Sequence, residues 1–277
     1  MTTVTSYDDL VASARESGDR LVLVDRDGSR ATVTMHDPDR LNALSAALTV
    51  QLHDALRELA AAPEVRTIVL TGTDPAFSAG GDLKLMVDFA APMIDGPEGT
   101  TAIWRWIRNE FGGVAKLITR TDKAFVAAVN GAAAGVGLAF ALACDVLLLS
   151  ERARIVPAFG KIGLVPEVGT SWLLTRRLGY QRTFELFAGG RVLEGAEAHE
   201  LGLGNALLPH DELLAAAAEW GERIDALPPH VLAMMKPLLR NAADLSWEQA
   251  IAMEEFAEPA SFTTQAHKDG VAALLAR

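Results

Sequence analysis

Residues 124–150 read AFVAAVNGAAAGVGLAFALACDVLLLS. Taken whole, the run is long and apolar enough to suggest a membrane span. Asn130, the glycines at 131, 135 and 137, and Asp145 divide it into an apolar strand at Ala124–Val129, a turn of small residues, a helix from Gly135 to Ala143 and another strand at Val146–Leu149. Strand, turn, helix, strand is the unit of a parallel sheet, because parallel neighbours need a crossover and the crossover is right-handed.

The same alternation extends upstream. Thr67–Thr71 (TIVLT) reads as a buried strand. Before it, Ser45 stands as an N-cap for a helix whose leucines at 48, 52, 56 and 59 recur every three or four residues, ending before Pro63. Leu21–Val24 and Arg30–Met35 flank Asp25–Ser29, whose Asp-Gly pair signals a β-hairpin, and His36–Arg40 is a loop. Gly72–Asp82 reads as a glycine-rich loop, and residues 90–100, with two prolines and two glycines, as a mobile one. Trp104, Ile107, Phe111, Val114 and Ile118 lie on one helical face. Beyond Pro157 the spacing predicts helices over Thr170–Leu178, Arg182–Phe187, Gly195–Leu201, Asp211–Ala226, His230–Asn241 and from Ser246 onward, with Ala206–Leu208 left for a short strand. The class is α/β with a helical C-terminal region. No internal repeat is evident.

Composition narrows the function. Of 277 residues, 50% are hydrophobic and 22% charged, which excludes a disordered chain and supplies a sizeable core. The net charge of −11, with no basic run, argues against nucleic acid. Cys144 is the sole cysteine, and the opening MTTVTSYDDLVASARES has adjacent acids and no apolar core of a secretory signal, so a cytoplasmic location is expected. The six histidines never take a metal-ligand spacing, and no metal is expected. Neither a Gly-x-Ser-x-Gly elbow nor a phosphate-binding P-loop is present.

Two strand-to-helix turns of small residues remain, Phe77–Asp82 and Asn130–Gly137. Small side chains let backbone N–H groups approach a ligand, and those at a helix N-terminus favour negative charge. Facing each other, the two turns would make an oxyanion hole. Alternatively, their glycines serve only tight turns, or the second turn cradles a dinucleotide, with Glu151 about twenty residues beyond Gly131 as the ribose-binding acid of a nicotinamide oxidoreductase. The spacing Gly-x-x-x-Gly-x-Gly departs from the dinucleotide pattern.

The succession Asp39–Leu44 (DRLNAL), Ala76–Leu83 (AFSAGGDL), Ala128–Gly131 (AVNG), Cys144-Asp145 and Gly163–Glu167 (GLVPE) resembles the crotonase family of enoyl-CoA hydratases and isomerases over roughly residues 20 to 270. The resemblance implies a spiral of ββα repeats over residues 1–200, a C-terminal helical oligomerisation region over 201–277, and a homotrimer or dimer of trimers. It implies an acyl-CoA thioester substrate, with no cofactor beyond the coenzyme A that the substrate carries. Position by position, Gly81 and Val136, the latter where the family usually has glycine, become backbone donors to the thioester oxygen. The two hydratase glutamates fall on Ala139 and Phe159, which cannot activate water. Glu167 falls where similar isomerases hold their single acid; its neighbours Leu164, Val165 and Val168 would raise its pKa if they bury it. The rival reading makes it a helix-capping acid. Coenzyme A would meet the backbone of Asn42, Ala43, Leu44 and Ala79, with Lys84 and Lys268 near its phosphates. Met86, Phe89 and Phe159 would line the acyl pocket. The expected activity is 3-enoyl-CoA to 2-enoyl-CoA isomerisation; hydration, or acyl-CoA binding without turnover, are the alternatives.

Overall fold

The computed structural model describes residues 6–276, so the first five residues of the N-terminal stretch and Arg277 lie outside it. Its main sheet runs, in spatial order, β1 (Val22–Asp27), β2 (Arg30–Met35), β3 (Thr67–Gly72), β5 (Ala124–Val129), β7 (Val146–Ser150) and β10 (Ala206–Leu208). β1 and β2 form the antiparallel hairpin, with Asp27 opposite Arg30; every later pairing is parallel. The acidic stretch Asp25–Asp27, expected in the turn, continues β1, because its side chains stand on an exposed strand edge.

A second sheet holds β4 (Ala76–Ser78), β6 (Ala132–Ala134), β8 (Arg154–Val156) and β9 (Leu193–Glu194). β3, β5 and β7 are each followed within a few residues by β4, β6 and β8, so the chain winds as a spiral between the sheets. A repeat therefore exists in geometry. The sequence hides it because AFS, AAA and RIV share no periodic pattern.

Helices cover both faces of the main sheet. α2 (Ala46–Ala61) is capped by Ser45 Oγ, which accepts the Leu48 N–H, and buries Leu48, Leu52, Leu56 and Leu59. α7 (Gly135–Ala143) is buried on every side, as a helix apolar all round must be. On the opposite face Leu213 and Ala217 of α11 (Leu213–Asp225) pack on Val69, Val126 and Leu148. The division expected at residue 201 therefore falls inside the packed body: β10 completes the sheet and α11 covers it.

α1 (Tyr7–Arg15), absent from the sequence reading, is capped by Ser6 and buries Leu10 and Ala14. Between the sheets' loops and β5 run α3 (Leu83–Leu85), a π-helical turn at Met86–Ala90, α4 (Ala91–Ile94), α5 (Thr100–Trp106), a second π-helical turn at Ile107–Phe111 and α6 (Gly112–Arg120). Part of the loop expected at 90–100 is thus helical. The remainder comprises α8 (Thr170–Leu178), α9 (Tyr180–Gly189), α10 (Gly195–Glu200), α12 (Pro229–Ala242), α13 (Trp247–Phe262) and α14 (Gln265–Leu275). Lys236 of α12 donates to the carbonyls of Ile118 and Lys123 and to Asp145, while Arg240 bonds Asp145 and the Ala143 carbonyl, tying α12 to the core. Among the described residues no helix is long and apolar enough to cross a membrane.

Candidate active site

The two small-residue turns meet. At Gly80 (φ +87°) a Cβ would stand 2.7 Å from the Ala134 carbonyl oxygen, so only glycine lets the first turn press against the start of α7. Gly80 is fixed on both sides: its N–H donates to Ser78 Oγ and its carbonyl accepts the Leu44 N–H. The next N–H, that of Gly81, has no partner among the described residues. Across from it, Ala134 caps α7 without a side-chain hydrogen bond, leaving Val136 in the first turn, where N–H groups have no partner inside the helix. Val136 is not at positive φ, so valine in place of glycine costs no backbone strain.

Glu167 arrives from a different element. Val168 (φ +55°) and Gly169 (φ +82°) are both left-handed, turning the chain sharply before α8. A β-branched residue there is strained, and such strain persists only where surrounding structure imposes it. Thr170 donates its N–H and its hydroxyl to the backbone carbonyl of Glu167, and the cap residue of α8 is Gly169. The capping role is therefore ruled out for the carboxyl group, which has no hydrogen-bond or ionic partner among the described residues. Burial alone pushes its pKa from 4.5 up to about 7.

Glu167 and Gly81 share the wall of a cavity of about 350 Å³. Met86, Met93, Trp106, Ile107, Phe111 and Leu164 make much of the rest, so the interior is almost entirely carbon. Both π-helical turns face it, through Met86 and Ala90 and through Ile107 and Phe111. Clefts of about 750 and 950 Å³ elsewhere include neither turn nor Glu167.

Of the expected acyl-pocket residues Met86 lines this cavity; Phe89 and Phe159 do not. Phe89 turns toward the core, while Phe159 is buried against Phe187, ring centroids 6.1 Å apart. Asn42 is fully committed within the protein. Its amide donates to the carbonyls of Thr73 and Ala76, its side-chain oxygen accepts the Asp37 N–H, and its own N–H donates to the Asp37 carbonyl. The N–H groups of Ala43, Leu44 and Ala79 are likewise taken, by Arg40, Gly80 and Leu41 carbonyls. Lys84 is exposed on α3, near Gly81 in sequence; Lys268 is exposed on α14, outside the cavity wall.

Asp82, not singled out from sequence, also reaches the wall. It is occupied: Oδ1 accepts the Lys84 N–H and Oδ2 faces Arg40 at 3.7 Å. Glu167 is thus the free carboxyl of the pair. Ala139 and Phe159, where two carboxylates would serve hydration, are buried and apolar. The dinucleotide reading fails on topology. β6 intervenes between Gly131 and α7, and the main sheet advances in one direction without the reversal that opens a nucleotide crevice.

The family described as enoyl-CoA hydratase/isomerase matches residues 25–276. A Rhizobium meliloti protein named "Probable enoyl-CoA hydratase" is 31% identical, covering 92% of this chain and 95% of its own. The structure of an enoyl-CoA hydratase from Polaromonas superposes with a TM-score of 0.81 at 29% identity, over 92% of this chain and 96% of that one. A monofunctional enoyl-CoA isomerase from M. smegmatis superposes with a TM-score of 0.68 at 30% identity, over 84% and 98%.

Proposed function

The chain belongs to the enoyl-CoA hydratase/isomerase family, and from that premise we propose that it is a 3-enoyl-CoA isomerase working through a single carboxylate. The observation that carries the reading is Glu167: an unpartnered carboxyl, ionising near 7, in a carbon-lined cavity beside the free N–H of Gly81. A base of that pKa suits proton transfer at neutral pH.

The thioester oxygen would lie between the N–H groups of Gly81 and Val136. Glu167 takes a proton from C2, the C–H electron pair forms C1=C2 and the carbonyl pair moves onto the thioester oxygen. The resulting dienolate keeps its C3=C4 bond until the carbonyl re-forms, C1=C2 shifts to C2=C3 and the C3=C4 pair takes up a proton at C4. The same carboxyl returns the proton to C4, leaving the 2-enoyl thioester. Each N–H aimed at the developing oxyanion contributes about 2.7–4 kcal/mol to lowering the barrier. Gly81 comes from the loop after β4 and Val136 from the start of α7, both held by the spiral, so the donors are oriented before substrate arrives. For coenzyme A, the backbone of Asn42, Ala43 and Leu44 is assigned to the pantetheine arm. The carbonyls of Asn42 and Ala43 already accept the Ser78 hydroxyl and the Ser45 N–H, so each would offer its second lone pair to the arm's amide N–H groups. Lys84 and Lys268 are assigned to its phosphates. A homotrimer, or a dimer of trimers, is part of the proposal: α13 and α14 bury no residue of their own and expose Trp247, Phe256, Phe262 and Leu275.

The name of the Rhizobium meliloti relative favours hydration as a second reading. Product analysis separates the two. With 3-enoyl-CoA and 2-enoyl-CoA offered in parallel, isomerisation should dominate and 3-hydroxyacyl-CoA stay minor. Rapid hydration would overturn the assignment, and tight binding without either product would make the chain an acyl-CoA binder.

A further inference from the structure

One wall of the Glu167 cavity comes from outside the family-matched segment. α1 ends at Arg15, before the match begins at residue 25, yet Leu10 from its centre is 2% exposed and lines the cavity. The helix is fastened there by long-range bonds. Tyr7 Oη donates to Glu110 Oε1 at 2.6 Å, the Tyr7 N–H donates to Glu98, and Arg15 pairs with Asp54 at 3.3 Å. Glu110 is held in turn by His53 Nδ1 at 3.0 Å. It belongs to the π-helical turn that presents Ile107 and Phe111 to the same cavity. One short segment thus anchors α1 through its carboxylate and shapes the cavity through its neighbours.

We propose that α1 is the stop of the acyl cavity and that Leu10 sets the longest acyl group accepted. This rests on the acyl-CoA reading above. At about 30 Å³ per water-sized group, a cavity of about 350 Å³ holds about a dozen such groups, so the substrates are short- and medium-chain thioesters up to about twelve carbons. A hexadecanoyl chain exceeds that volume, so on this proposal its end meets Leu10.

The test is equilibrium binding of butanoyl-, octanoyl-, dodecanoyl- and hexadecanoyl-CoA to the full chain and to two variants of opposite sense. Leu10→Ala removes three carbons from the wall and should raise hexadecanoyl-CoA affinity tenfold or more, since each methylene admitted adds about fourfold. Leu10→Phe should cut dodecanoyl-CoA affinity about tenfold. Butanoyl-CoA should bind all three proteins equally, and opposite shifts from one position cannot both arise from misfolding. Binding of the shorter thioesters with a length profile unmoved by either variant overturns the inference and leaves the acyl-CoA reading standing. No binding of any thioester by the unaltered chain overturns both.

Discussion

Replacing Glu167 by glutamine should shift relative stability in favour of the variant as the pH rises. The carboxyl ionises near 4.5 when solvated and near 7 in the folded chain, because burial disfavours its charged form. The folded state therefore holds the proton more tightly than the unfolded state. Stability attached to this group is fully present below about pH 4.5 and is lost as the pH climbs through 7. At 1.36 kcal/mol per pH unit, the ionised carboxyl costs the fold about 1 kcal/mol at pH 5.5 and about 3 kcal/mol at pH 8.5. Glutamine removes that cost and adds a pH-independent one for its buried amide, so the readout is the difference between the two pH values, about 2 kcal/mol in favour of the variant. Urea unfolding of both proteins at pH 5.5 and 8.5 measures it. The same titration should govern turnover in the unaltered protein, with kcat falling about tenfold per pH unit below 7 and level above it. A stability difference that does not change between the two pH values would refute the reasoning, since Glu167 would then ionise like a solvated acid.

Other outcomes follow from neighbouring parts of the structure. Val136→Pro, placed in the first turn of α7 where proline is tolerated, deletes one N–H and should lower kcat about 100- to 1000-fold with the far-UV circular dichroism unchanged. Lys236→Ala removes the donor from the carbonyls of Ile118 and Lys123 while Asp145 keeps Arg240, and should cost about 1–3 kcal/mol in urea unfolding for each carbonyl left unpaired. Light scattering behind size exclusion should give the mass of three or six chains, and Trp247→Glu with Phe256→Glu, on the exposed face of α13, should shift it toward one.

Much of this was legible in the chain. The hairpin, β3, β5, α7 and most C-terminal helices follow from apolar spacing, and Ser45 announced its cap, because each is decided by local periodicity or a local hydrogen bond. Glu167 stood out as an acid among apolar residues, and burial does raise its pKa, while Leu164 and Val165 themselves stay exposed. What escaped depends on distant partners. β4, β6, β8 and β9 are two or three residues long and exist only as rungs of a second sheet. α1 is held by Glu110 and Asp54. Phe89 and Phe159 are apolar near the site in sequence, but Phe159 is buried in the core and Phe89 packs half-buried against it. The side-chain amide of Asn42 is likewise fixed by distant partners, the carbonyls of Thr73 and Ala76.

The assignment of Glu167 as the proton carrier is tested most directly by turnover of a 3-enoyl-CoA in Glu167→Gln, with thioester affinity measured on the same preparation. The predicted result is formation of the 2-enoyl product by the unaltered protein, and its loss in the variant while affinity stays within a few-fold. Comparable turnover in the variant, with binding intact, would contradict it.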